Sequence, residues 1–111
     1  MKLSTISTGL ALLVAAPFLG LSSPPQAQKG QGIFQEQCVG CHGADGKAQT
    51  DMGKKVQAAD LTSGAVQGQS DSKLENVIKS GKKKMPSFDG KLSDDEIASV
   101  VAYIRQIGKG R

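Results

Sequence analysis

Large aromatic side chains are scarce in this chain: of 111 residues none is tryptophan, one is tyrosine (Tyr103) and three are phenylalanine. So little ring surface leaves a small domain short of material for a core of its own. Histidine occurs once and cysteine twice, which rules out a four-ligand zinc centre without borrowed carboxylates. No strand alternation, internal repeat or heptad is visible, so the chain is read as all-α. Its basic residues are not interleaved with aromatics, which argues against nucleic acid as a partner. The longest apolar run, Gly9 to Leu21, is shorter than a membrane span requires, so no permanent anchor is expected.

The first 27 residues differ from the rest. Lys2 is followed by that apolar run and then by a polar, proline-containing stretch from Ser22 to Ala27. Positive start, apolar middle and polar end are the three parts of an export leader, and cleavage is expected near Ala27. Residues 28–111 then form the mature domain, with 13 Lys+Arg against 10 Asp+Glu, a formal +3. Export places it in the periplasm, or in the thylakoid lumen of a phototroph.

What the domain does have is Cys38-Val39-Gly40-Cys41-His42. Two thiols one turn apart, with an imidazole beside the second, form the arrangement that attaches a c-type haem covalently and sets its proximal iron ligand. Other uses of the pair fit less well. A disulfide across so short a gap stabilises little, and a thioredoxin-like pair belongs after a strand, of which there is no sign. A haem would also remedy the thin core, because short helices can pack around its apolar disc. The apo-chain is accordingly expected to be largely unfolded.

Three helices are predicted. The first covers about Lys29 to Cys41, with Gly30, Phe34 and Cys38 on one face. A second covers Asp71 to Ser80, capped by Ser70 or Ser72, ended by Gly81 and burying Leu74, Val77 and Ile78. The third opens with a capping box, Ser93 to Glu96, and a Leu92–Ile97 staple. Its stripe of Ile97, Val100, Val101, Ile104 and Ile107 is scaffold, and Gly108 is expected to end it. Between Gly43 and Gln69 the sequence is polar and without period; it reads as an Ω-like loop around the haem edge, with Leu61 facing the ring.

The second iron ligand decides the chemistry, since an open site binds gases or peroxide and a filled one passes electrons. Met85 stands between Lys82-Lys83-Lys84 and Pro86, and proline holds its predecessor extended. It lies 43 residues beyond His42, enough chain to reach the opposite face of a haem. Met52, only ten residues beyond, is a poor alternative. A neutral sulfur opposite an imidazole implies a fairly high reduction potential.

Taken together, Gly30, Phe34, the Cys38–His42 motif, Asp60-Leu61-Thr62, Gly81, Met85-Pro86-Ser87-Phe88, Leu92 to Ile97 and Ala102-Tyr103-Ile104 resemble the class I (His/Met) c-type cytochromes, especially small monohaem carriers of bacteria and photosynthetic organisms. The resemblance spans almost all of residues 29–107. It implies the cytochrome c fold, with first and last helices crossing near a right angle and Gly30 and Phe34 meeting Tyr103. It further implies one haem c joined through Cys38 and Cys41, with His42 and Met85 as axial ligands. One departure stands out. Many relatives carry a proline after the motif, beside the carbonyl that accepts the histidine Nδ1 proton; no proline lies between Cys41 and Leu61, where Ala58-Ala59-Asp60 occupies the region.

The function expected from these features is one-electron transfer by a soluble, monomeric carrier between redox complexes. With the histidine assigned, no arrangement of nucleophile, base or paired carboxylates remains, so the chain is not read as an enzyme. Two alternatives stay open: a haem sensor or peroxidase-like protein whose Met85 is displaced, and a dedicated electron-transfer subunit of an enzyme complex. Lys82, Lys83 and Lys84 would border the haem crevice. Such runs commonly serve as solvated surface, but here they also suit docking of acidic redox proteins.

Overall fold

The computed structural model describes residues 2, 4, 8–14 and 23–110. The expected leader therefore lies partly outside the described residues; residues 9–14 form no regular element, and Leu10, Leu12, Leu13 and Val14 are exposed. Six helices follow: α1 Pro25–Gln37, α2 Val39–His42, α3 Asp51–Val56, α4 Gly64–Gln67, α5 Asp71–Ser80 and α6 Asp94–Lys109. No strand occurs among the described residues, which bears out the all-α reading.

Helix α1 begins four residues before the expected start. Pro25 occupies its first turn, where the missing N–H costs nothing and the fixed φ suits the helix. Ala27, expected at the end of the leader, is buried within this helix at 2% exposure. Ser23 is engaged as well, since Gln106 Nε2 donates to its hydroxyl at 2.8 Å and Gln28 Nε2 to its carbonyl at 2.7 Å.

The core forms where α1 meets α6. A Cβ built on Gly30 would lie 1.8 Å from the Ser99 carbonyl oxygen, so only glycine lets the two backbones approach this closely. One turn on, Phe34 is 1% exposed and meets Tyr103 edge-on. Burying such a ring contributes about 2–3 kcal/mol, and the edge-to-face pairing adds about 1 kcal/mol. Ile97, Val100, Val101 and Ile104 complete the buried stripe of α6.

Helix α6 starts as expected. Ser93 Oγ accepts from the Glu96 amide at 3.1 Å, and Glu96 Oε1 accepts from the Ser93 amide at 3.0 Å. It does not end at Gly108. The helix continues to Lys109 with Gly110 beyond it, and Gly108 serves a different purpose: a Cβ there would lie 2.3 Å from Gln67 Cδ. Helix α5 has the predicted bounds, with Ser70 accepting from Lys73 N and Gly81 at φ 76° ending it. Leu74 and Ile78 are buried, while Val77 is half-buried.

The stretch between Gly43 and Gln69 is more ordered than an Ω-like loop. It contains α3, capped by Thr50, and α4, capped by Ser63. Each is too short to show a hydrophobic period, which is why the sequence pattern misses them.

Candidate functional site

The Cys38–His42 motif spans a break between two helices. Cys38 leaves α1 with its amide still bonded to the Phe34 carbonyl at 2.9 Å, and α2 resumes at Val39. His42 N donates back to Cys38 O at 3.0 Å, so the imidazole is carried one turn beyond the first thiol. Helix α3 braces this turn. Thr50 Oγ1 lies 2.9 Å from the Gly40 carbonyl and 3.1 Å from that of Cys41. A Cβ on Gly53 would come within 2.2 Å of the Cys41 carbonyl oxygen, so α3 packs directly on the motif.

Met85 reaches the same region from the segment that follows α5. Gly81 turns the chain at the end of α5; any Cβ there would lie 2.7 Å from Met85 O and 2.8 Å from Ser87 N. Lys82 and Met85 then exchange backbone hydrogen bonds of 3.2 and 3.0 Å. The descending chain docks onto α5, with Phe88 N donating to Ile78 O at 3.1 Å and Ser87 Oγ to Lys79 O at 2.7 Å. The half-buried Met85 packs against the core, and Phe88 is 7% exposed.

Between these walls lies a cavity of about 390 Å³, within the range of cofactor sites. Cys38, Cys41, His42 and Met85 all line it, together with Val56, Ala58, Val77, Pro86 and Phe88. Val56 and Ala58 come from the stretch that reads as loop in the sequence, where no hydrophobic period marks them as wall residues. Lys82, Lys83 and Lys84 stand at its border and are exposed. Met52 is 49% exposed on α3 and is not on the wall. Leu61, expected to face the ring, belongs instead to the buried core at 9% exposure and does not line the cavity, whose apolar lining includes Val56 and Ala58.

Electrostatics suit a neutral ligand set. Burial lowers the His42 pKa from its ordinary value, against the opposing pull of its hydrogen bond to Ala59, so the imidazole is neutral at physiological pH. Burial, helped by the neighbouring Cys41, pushes the Cys38 thiol up to about 11. His42 Nδ1 lies 3.0 Å from the Ala59 carbonyl oxygen, which supplies the acceptor that the sequence could not identify. With Nδ1 protonated and donating to Ala59, Nε2 is the free lone pair.

The donors fit a covalently attached haem: two unpaired thiols, a neutral imidazole and a thioether around an apolar cavity. Comparison with known proteins agrees. Residues 25–104 match the family described as cytochrome c oxidase, cbb3-type, subunit III. The chain is 34% identical over 87 residues to the cbb3-type cytochrome c oxidase subunit FixP of Bradyrhizobium diazoefficiens, covering 77% of this chain and 29% of FixP. It thus spans about a third of the length of such subunits. It is 33% identical over 104 residues to cytochrome c6 of Picosynechococcus sp., covering 86% of this chain and 87% of cytochrome c6. The solved c-type cytochrome KustC0563 superposes with a TM-score of 0.65 at 29% identity, covering 70% of this chain and 95% of that one.

Proposed function

The chain belongs to the c-type cytochromes of the cbb3-type subunit III family, and we propose that it is a soluble, exported one-electron carrier whose haem iron would be held by His42 and Met85. It is an electron-transfer cytochrome carrying covalently bound haem c. Cys38 and Cys41 are the thioether positions in this reading. The observation that carries it is that both cysteines, His42 and Met85 line the same cavity.

Haem c supplies reversible one-electron chemistry at iron; the chain's residues set its surroundings. Ala59 orients the His42 ring and raises its basicity through the Nδ1 bond. The Lys82–Met85 turn brings Met85 into the cavity lining. Val56, Ala58, Val77 and Phe88 keep the site apolar, which disfavours the more charged ferric state and raises the potential. The exposed lysines at the border steer acidic redox proteins toward the cavity mouth.

A dedicated electron-transfer subunit is the second reading, favoured by the likeness to FixP. The free-carrier reading is favoured by the match across most of cytochrome c6. Fractionation of the native host separates them: a carrier is recovered free after osmotic release, whereas a subunit co-purifies with a membrane oxidase. For the iron site, the reduced holoprotein is expected to show a low-spin spectrum unchanged by carbon monoxide. Rapid formation of a carbon monoxide adduct would overturn the Met85 assignment in favour of a displaceable ligand.

A further inference from the structure

Outside the cavity, the side chain of Gln67, at the end of α4, joins the loop before it to α6. Both hydrogens of its amide are used: Nε2 donates to the Leu61 carbonyl at 2.7 Å and to the Ile104 carbonyl of α6 at 3.0 Å. Arg105 holds the same residue from α6, donating through Nη1 to the Gln67 carbonyl at 2.8 Å, through Nη2 to the Gln69 carbonyl and through Nε to Asp71 at 2.9 Å. Gly108 leaves the space that the Gln67 amide fills, since any Cβ there would overlap it.

Leu61 is two residues from Ala59, and the segment joining them is tied down on both sides. Leu61 N donates to Gly46 O at 2.8 Å, and Ala58 N donates to Gly53 O at 2.9 Å. Asp60 Oδ1 accepts from Thr62 N and Thr62 Oγ1 at 2.8 and 2.7 Å. These bonds hold the segment to its own loop and to α3, while Gln67 ties it to the long helix α6. A peptide carbonyl aimed at an imidazole keeps its direction only as well as its neighbours are held.

We propose that Gln67 is a positioning residue for the iron centre: its amide braces Leu61 against α6 and so fixes the direction of the Ala59 carbonyl that holds His42. The inference rests on His42 as an iron ligand. That premise is checked first, in the unaltered holoprotein, by the strongly shifted His42 ring resonances of a paramagnetic ligand; ordinary shifts there would remove the premise and with it the proposal.

The test compares Gln67→Met, which keeps the length of the side chain without donors or added charge, and Gly108→Ala, which displaces the amide without altering it. Both are made in the haem-loaded protein, with Val101→Ala as a control that weakens the shared core without removing any bond of Gln67. The expected result in both is exchange of the His42 Nδ1 proton at least about tenfold faster, as local opening becomes easier, and a raised reduction potential as the imidazole loses electron density. The control lowers the melting temperature without either change. If Gln67→Met and Gly108→Ala lower the melting temperature but leave exchange and potential at their original values, Gln67 is only a structural tie and the proposal fails. If neither variant folds, the unaltered protein decides: the Gln67 amide and His42 Nδ1 protons should show one common protection factor across temperature, and separate values would overturn the proposal.

Discussion

Phe34 and Tyr103 meet edge to face, with ring centroids 5.2 Å apart and planes inclined at 60°. The contact lies one turn beyond the place where Gly30 lets α1 touch the Ser99 carbonyl. The two features depend on one another, because the rings can meet only if the backbones close at the glycine.

That dependence sets the first prediction. Gly30→Ala forces a methyl into the Ser99 carbonyl and is expected to destabilise the holoprotein by about 3 kcal/mol or more. Urea unfolding followed at the haem band measures it. A loss below about 0.5 kcal/mol, the range of surface substitutions, would show that the helices separate freely here.

Met85→Ala is expected to give a folded protein with high-spin haem and a lower potential, because it removes the neutral soft ligand. Met52→Ala, at an exposed position on α3, should leave spectrum and potential unaltered. The reverse pattern would move the sixth ligand to Met52.

One group points to weakening in acid. The Glu96 pKa is lowered by its bonds to Ser93, so the folded state keeps this carboxylate ionised where the unfolded chain takes up a proton. Its share of stability, present above 4.5, is lost as pH falls through the lowered value. In the holoprotein Glu96→Gln should flatten the fall of stability in that range, and an unchanged fall would remove Glu96 from the account.

Replacing Lys82, Lys83 and Lys84 with glutamate is expected to slow association with an acidic redox partner by about tenfold or more at low ionic strength. The difference should shrink as salt rises. Stopped-flow electron transfer across a salt series gives the answer; equal rates at low salt would reduce the run to solvated surface.

Much of this architecture is legible in the sequence where local chemistry is explicit. Ser93 and Glu96 announce α6, Ser70 and Gly81 bound α5, and Pro86 marks Met85 as extended. The beginning of α1 was hidden because Pro24 and Pro25 look like the end of a leader, although a proline in a first helical turn is itself a start signal. Thr50 before Asp51 is likewise a cap, but it opens a helix of six residues, too short for a pattern. The Ala59 carbonyl has no signature at all, because every residue carries one and only the fold selects which faces His42. Gly108 misled for a related reason: a glycine kept for a neighbour's side chain looks the same as one kept for a turn.

The turn from Lys82 to Met85 closes on itself through two main-chain bonds, and the residues after it are fastened to the end of α5. With Met85 as ligand, the sulfur would meet the metal already aimed, on a tether too short to swing. Few atoms would then need to shift as the charge there changed, and passing an electron would require little reorganisation of the surroundings.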